Sequence, residues 1–364
     1  MDSPLQFFAG INDPRIERTK DHLLIDIIFI TIAAVISGAE SWNDIEAFGR
    51  AKHEWLKSFL KLPNGIPSHD TFNRIFSVLD PDELGRCFLA WTKSISRFTE
   101  GEVISIDGKA LRGTRQQHNK SIVHMVSAWA SINNIVLGQK KVDSKSNEIT
   151  AIPALLEVLA LTGCIVTIDA MGCQKNIASA IVAKQADYIL ALKGNQGELH
   201  EQVKESFRFL PTNSVSQQTD LGHGRIEKRV CSVVNDLSMM EQKDQWAKLN
   251  SLVRIEAERQ HKSTGVTQQE VRYYISSMKT DAHQFNSCIR DHWKIENSLH
   301  WILDVAFHED QSRKRSGNAA QNFSVINRIA LNLLKNELTT KQGIKGKRLK
   351  AGWDNDYLAM ILKI

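Results

Sequence analysis

The chain has 364 residues, 42% hydrophobic and 24% charged, with a net charge of +5. Such values are ordinary for a soluble globular protein of about two domains, and the mild positive charge permits nucleic-acid binding without requiring it. The five cysteines (Cys87, Cys164, Cys173, Cys231, Cys288) form no Cys-x-x-Cys pair, which argues against zinc ribbons and disulfide frameworks and fits a reducing compartment.

Residues 1–95 read as helical throughout, with Asp13-Pro14-Arg15 breaking the start. Leu23 to Ala39 is the one candidate membrane segment. A span needs about 20 apolar residues and Asp26 interrupts this one, so Leu23–Ser37 is expected to be a buried core helix. The start of the chain lacks the pattern of a secretory signal, and the expected location is the cytoplasm. Trp42–Leu60 sets Trp42, Ile45, Phe48, Trp55, Leu56 and Phe59 at helical spacing. Leu62-Pro63-Asn64-Gly65 is a turn, and Ser68 suits the N-cap of a helix Asp70–Leu79 that stops before Asp80-Pro81. A helix, a Gly-containing turn and a capped helix can read DNA. Plain helical packing is the commoner reason for the same pattern.

Near residue 100 the apolar period changes. Glu102–Asp107, Val123–Ser131 and Ile135–Val142 read as strands, the last two joined by a turn at Asn133-Asn134. Helix Glu148–Leu161, strand Cys164–Asp169, helix Lys175–Gln185 and strand Asp187–Leu192 come next, so the order is βββαβαβ in an α/β fold with a mixed sheet. After Lys193-Gly194-Asn195-Gln196 a helix runs to about Phe209. A β-rich insertion over about 210–278 then carries strands Arg229–Val234, Leu252–Ala257 and Val271–Ile275. Helices close the chain, notably Phe323–Leu338. Positive charge gathers in Arg313-Lys314-Arg315 and in a basic C-terminal segment, 341–364, with Lys341, Lys345, Lys347, Arg348 and Lys350.

Three acidic residues carry the chemistry. Asp107 and Asp169 each end a short apolar, β-branched run and precede a small residue, which predicts a buried strand with a carboxylate at its tip. Glu296 lies in a helical stretch. Two strand-tip carboxylates and one helix carboxylate are the parts needed to hold two divalent metals against a phosphodiester. A lone Asp after an apolar run is more often a turn or cap residue, so the three count only together. Lys109 and Arg112, after the first strand, and Lys193, after Leu192, are placed to bind phosphate. Around Glu296 crowd Arg290, His292, Trp293, Lys294, Asn297, His300, Trp301 and Asp304. His292, Glu296 and His300 share a helix face by i, i+4 spacing. That spacing also suggests zinc, but no third soft ligand is in view and both Asp contexts would go unexplained. Trp293 and Trp301 read as core residues rather than base-stacking ones.

Seven words occur in order: Ser37-Gly38-Ala39-Glu40, Pro67-Ser68-His69-Asp70-Thr71-Phe72, Ile106-Asp107-Gly108-Lys109, Asp169-Ala170-Met171-Gly172-Cys173-Gln174, Lys193-Gly194-Asn195-Gln196, His223-Gly224-Arg225 and the segment His292–Asp304. Over nearly its whole length the chain thereby resembles the bacterial insertion-sequence transposases with an Asp-Asp-Glu triad, most closely the H-repeat-associated group. The resemblance implies a ribonuclease-H-like catalytic core over 96–340, a helical N-terminal domain over 1–95 and a triad of Asp107, Asp169 and Glu296 holding two Mg2+ ions, for which Mn2+ can substitute. It implies metal-dependent cleavage and strand transfer at element ends, double-stranded DNA ends and target DNA as partners, a homo-oligomer on DNA, no membrane and a nucleoid-associated location. For His223-Gly224-Arg225 it implies a DNA-facing or site-closing role; a surface turn is the alternative. Related transposases place Tyr and Arg seven and four residues before the Glu and Lys seven after it. Ile289, His292 and Leu303 stand there instead, so those phosphate-contact roles do not transfer, and Arg290 and Lys294 are the substitutes on offer. Asp304, Glu309 and Asp310 are spare carboxylates near Glu296. The rival readings are a DNA-binding relative without catalysis and a structure-specific nuclease on the same fold.

Overall fold

The computed structural model describes residues 3–97, 99–115, 122–142, 147–222 and 224–364. The helical first part comprises α1 (Leu5–Phe8), α2 (Leu24–Ile36), α3 (Trp42–Ala51), α4 (His53–Leu56), α5 (His69–Val78) and α6 (Pro81–Ile95). Helix α2 is buried around almost its full circumference; with 13 residues it is a core rod. Among the described residues no helix is long and apolar enough to cross a membrane. A capping box opens α3, with the Ser41 hydroxyl accepting from the Asp44 amide at 3.1 Å and Asp44 accepting from the Ser41 amide at 2.8 Å. The expected single helix Trp42–Leu60 breaks at Lys52, and a loop from 57 to 68 precedes α5. Ser68 caps α5 through the Thr71 amide at 3.3 Å, as its sequence position suggests.

The sheet begins with β1 (Val103–Leu111), β2 (Val123–Ala130) and β3 (Ile135–Val142), with Asn134 in the left-handed region at the hairpin (φ 58). Helix α7 (Glu148–Val158) leads to β4 (Ile165–Ile168), and α8 (Lys175–Ala183) to β5 (Asp187–Leu192). β1 pairs antiparallel with β2 and parallel with β4, and β4 parallel with β5. This βββαβαβ arrangement, with α7 and α8 as crossovers, is the ribonuclease-H-like core. After α9 (Gly197–Phe209) come β6 (Ser214–Gly222), β7 (Arg225–Val234), β8 (Ser251–His261) and β9 (Thr267–Ser276). These four strands are a continuation of the same sheet. β9 joins β5 antiparallel, giving the order β3-β2-β1-β4-β5-β9-β8-β7-β6. The periodicity missed β6, whose polar residues alternate between half-buried and exposed. Helix α10 (Ala282–His292), a π-helical turn Glu296–His300, α11 (Trp301–Ala306), α12 (Ala319–Asn336), α13 (Ile344–Trp353) and α14 (Asn355–Leu362) complete the chain.

Three apolar clusters hold these parts. One lies under the sheet face covered by α7 and α8 and contains Ile104, Ile106, Val166 and Ile168. A second lies on the opposite face against α10, with Val103, Ile165, Ile189, Phe285 and Ile289. The third unites the N-terminal helices with the last four helices, from Phe8, Phe29 and Trp91 through Ile295, Leu299 and Leu303 to Leu358. The late basic residues are accordingly not all at the surface. Arg348 is buried and donates to the carbonyls of Val35 (3.0 and 2.9 Å), Ala39 (3.3 Å) and Ala306, tying the C-terminal ends of α2 and α11. Lys347 is buried against the Leu334 and Glu337 carbonyls, and Lys314 stacks on Phe323, 3.7 Å from the ring centroid.

Candidate active site

Strand alternation decides where the two aspartates point. Along β1, Ile104 and Ile106 enter the α7/α8 side while Val103 enters the α10 side, so Ser105, Asp107 and Lys109 face α10 and the π turn beyond it. Along β4, Val166 and Ile168 enter the first side and Ile165 the second, so Thr167 and Asp169 face α10 too. Parallel pairing between the strands ends at Ile106↔Ile168, and the next residue on each is Asp. Strands lie about 4.8 Å apart, so both carboxylates leave one face of the sheet side by side. Asp169 ends its strand as the sequence indicates, capping a 3-10 turn through the amides of Met171 (3.1 Å) and Gly172 (3.4 Å). Asp107 does not end β1. The strand runs on to Leu111 because β2 still pairs with it, so Asp107 marks the end of the parallel ladder only.

The segment after α10 crosses this face. Trp293 and Lys294 are exposed, then Ile295 and Leu299 turn into the helical core. The π turn is wound between them, and π turns are often found at functional sites. It brings Glu296 and His300 over Asp107. The His300 Nδ1 lies 3.6 Å from a carboxylate oxygen of each. One ligand atom from Asp107, Glu296 and His300 all fall within 4.8 Å of one another. Asp169 is outside that tight group. Burial first, then the charge of Glu296, pushes the Asp107 carboxyl up to about 8, and Asp169 adds to the rise. Glu296 is held down to about 2, mainly by the neighbouring His300 ring. The two acids therefore titrate as a pair, with Asp107 raised by its burial and by the charge of Glu296.

A fourth carboxylate was not singled out from the sequence. Glu148, the first residue of α7, lies across Gly108, where an added Cβ would sit 2.0 Å from its carboxylate oxygen. Burial and then the Asp169 charge raise its carboxyl. Nothing in its local sequence separates it from an ordinary first-turn acid.

Several residues sit differently from their expected roles. Lys109 is buried, with its ammonium 2.7 and 2.6 Å from the two Asp304 oxygens and 3.5 Å from Asp310, so it is a strut and not a free phosphate contact. The spare acids are engaged: Asp304 and Asp310 with Lys109, and Glu309 with buried Arg328 at 2.8 Å. His292 packs on the sheet: its Nδ1 meets the Thr167 hydroxyl at 3.0 Å, and burial pushes the ring down to about 4, leaving it neutral rather than a phosphate cation. Trp293 and Trp301 are exposed, at 41% and 60%, not core. Arg112, Lys193, Arg225, Arg290 and Lys294 are all exposed, with Arg112 3.5 Å from Asp310, Arg290 paired to Asp220 and Lys294 2.7 Å from Asp291. Of His223-Gly224-Arg225, Gly224 makes the turn between β6 and β7 (φ 72), and His223 lies outside the described residues.

Beside Glu296 opens a cleft of about 490 Å³ between α10 and the outer strands. Arg225, Arg229, Arg259, Arg272, Arg290 and Lys294 line it against Glu227, Glu270 and Glu296. The Arg272 guanidinium stacks over Trp293, 4.6 Å from the ring centroid. Glu296 thus stands at the edge of an arginine-rich groove.

Comparison with known proteins agrees with this architecture. The family model described as Transposase DDE domain matches residues 99–333, and the one described as DDE_Tnp_1-associated matches residues 5–92. A relative in Escherichia coli O157:H7 named "Putative transposase YncI" is 44% identical over 99% of this chain and 94% of its own. In Escherichia coli strain K12, the "H repeat-associated putative transposase YhhI" is 42% identical over 98% of this chain and 97% of its own. The chain belongs to the DDE transposase family, in its H-repeat group.

Proposed function

We propose that this protein cleaves DNA at the ends of an insertion sequence and joins the freed 3′-hydroxyls to target DNA, with Asp107, Asp169 and Glu296 holding divalent cations. The supporting observation is the register. The two aspartates come directly after the last parallel pair, Ile106↔Ile168, on the face that Glu296 overlies. The donor set fits cations. Two carboxylates and the His300 ring converge in a partly buried place, and burial, Glu296 and Asp169 all raise the Asp107 carboxyl, a repulsion that a cation would relieve. The oxygen ligands suit Mg2+, and Mn2+ can replace it. Bound there, such ions supply activation of an attacking hydroxyl and stabilisation of the leaving oxygen in an in-line displacement.

The chain's own groups do the rest. Lys109 fixes the strand carrying Asp107 to Asp304 on the helix beyond Glu296. The exposed Arg225, Arg290 and Lys294 take phosphates along the cleft, while Arg272 stays paired with Glu270 and stacked over Trp293. Lys193, after β5, lines a cleft with Asp169 and is a further phosphate contact. Two ends must be held together, so two copies act on one DNA.

The test is an assay with duplexes carrying the genomic repeats that flank the gene, with Mg2+ or Mn2+. Nicks at the repeat ends and joined 3′-hydroxyls are expected. Cleavage without joining would mark a nuclease, and binding without cleavage an inactive relative.

A further inference from the structure

The sequence sets aside a His-Glu-His zinc site, and the structure dissolves it by turning His292 onto Thr167. The other half of that pattern remains at the carboxylates. His300 is 4% exposed, yet no hydrogen bond to its Nε2 is formed. Its Nδ1 stands 3.6 Å from both Asp107 and Glu296. That distance is too long for a good hydrogen bond. It exceeds by only about 0.5–0.8 Å the separation of adjacent ligands on an octahedral cation, which at metal–ligand distances of about 2.0–2.2 Å is roughly 2.8–3.1 Å, a gap that a small side-chain movement closes. What points to a ligand is the other nitrogen: a buried ring holds Nδ1 equidistant from two carboxylates without a hydrogen bond to either.

We infer that His300 is a nitrogen ligand of the cation held by Asp107 and Glu296, which makes this position prefer Mn2+ over Mg2+. The inference rests on the proposed metal-binding role of those two acids. Its chemical ground is that Mg2+ takes hard oxygen ligands, whereas imidazole favours first-row transition ions. Glu296 and His300 are the first and last residues of the π turn, so the extra residue in that turn helps set both groups over Asp107.

Pulsed electron paramagnetic resonance of Mn2+ added to the full-length protein tests this without relying on cleavage. The wild-type spectrum should carry nitrogen modulation from a coordinated imidazole. The modulation should change when the protein is made with [15N]histidine, a control that needs no substitution and so survives any folding defect. It should vanish in His300→Gln and persist in His292→Gln. His300→Gln should also weaken Mn2+ affinity by about 10–100-fold, with Mg2+ affinity much less affected. If Mn2+ binds, is lost in Asp107→Asn, and shows no nitrogen coupling, the inference is overturned while the carboxylate site stands. If wild-type protein binds no Mn2+, the carboxylate site falls too and takes the inference with it.

Discussion

Lys109 and Asp304 form a two-pronged ion pair across 195 residues of sequence, at 2.7 and 2.6 Å, with the lysine side chain 7% and the aspartate 34% exposed. Lys109 is two residues beyond Asp107 on the same face of β1, and Asp304 lies in α11, just past the π turn that holds Glu296. The pair fixes the distance between the first and third acids. Lys109→Met should lower stability by about 1–3 kcal/mol, below the full cost of breaking a buried pair because Asp304 is one-third exposed. Cleavage should fall further than that loss explains, because Glu296 is no longer held over Asp107. Melting temperature and cleavage rate, measured at a temperature where the variant is fully folded, separate the two effects. Unchanged cleavage would show that the strut is dispensable.

Asp107→Asn, Asp169→Asn and Glu296→Gln should each reduce cleavage by on the order of 10²–10³-fold or more. None should lower the melting temperature of the metal-free protein, and Asp107→Asn should leave it the same or higher because a repelling pair is removed. Near-wild-type cleavage by Asp169→Asn would remove Asp169 from the ligand set, a pointed test because its carboxylate lies outside the tight group.

His292 gives a pH signature. Its ring is pushed from 6.5 down to about 4 by burial, so between those pH values the unfolded chain binds more protons than the folded one. The stability it contributes is complete above pH 6.5 and is lost as pH falls towards 4. In metal-free protein, His292→Gln should flatten the decline of the urea midpoint over that window. An equally steep decline in the variant would assign the acid sensitivity to other groups.

Two glycines separate site from scaffold. At Gly108 an added methyl meets the end of the flexible Glu148 side chain, whereas at Gly113 it meets the Ser312 backbone oxygen at 2.3 Å. Gly113→Ala should cost about 1–3 kcal/mol of stability, read as a lower melting temperature, because backbone must move. Gly108→Ala should move the melting temperature little, and any loss of cleavage it causes would report displacement of the Glu148 carboxylate.

Removing residues 1–95 is not a clean way to locate DNA recognition. Their apolar faces share one core with α11 to α14, and Arg348 is anchored on α2 carbonyls. The truncated chain should aggregate, as size-exclusion chromatography would show. Arg74→Ala on the exposed face of α5 is the gentler probe; a role for α5 in end recognition predicts weaker discrimination between end and random duplexes, with the fold intact. A soluble, monodisperse truncation would contradict the shared core.

Much of the architecture was legible in the residues. The strands ending near Asp107 and Asp169 announce themselves because buried parallel strands are runs of β-branched residues, and the Ser68 cap carries its own chemistry. What local pattern cannot show is which partner a charge finds. Lys109 looks like a phosphate ligand until Asp304 arrives from α11, and His292 looks like a surface cation until Thr167 is seen beneath it. The π turn hides for a different reason. Its one-residue slip changes no residue type, yet it decides which groups share a face with Glu296. The outer strand β6 is missed because polar edge residues leave little apolar period to read.

The division of the acids between cores bears on how the protein is made. Asp107 and Asp169 are set by the sheet, while Glu296 is set by a helix seated in the core built from both ends of the chain. A ribosome releases the first two long before the helices that seat the third. A growing chain that stops before α11 therefore lacks the seat of Glu296, and the three acids come together only once α11 to α14 have docked on the N-terminal helices.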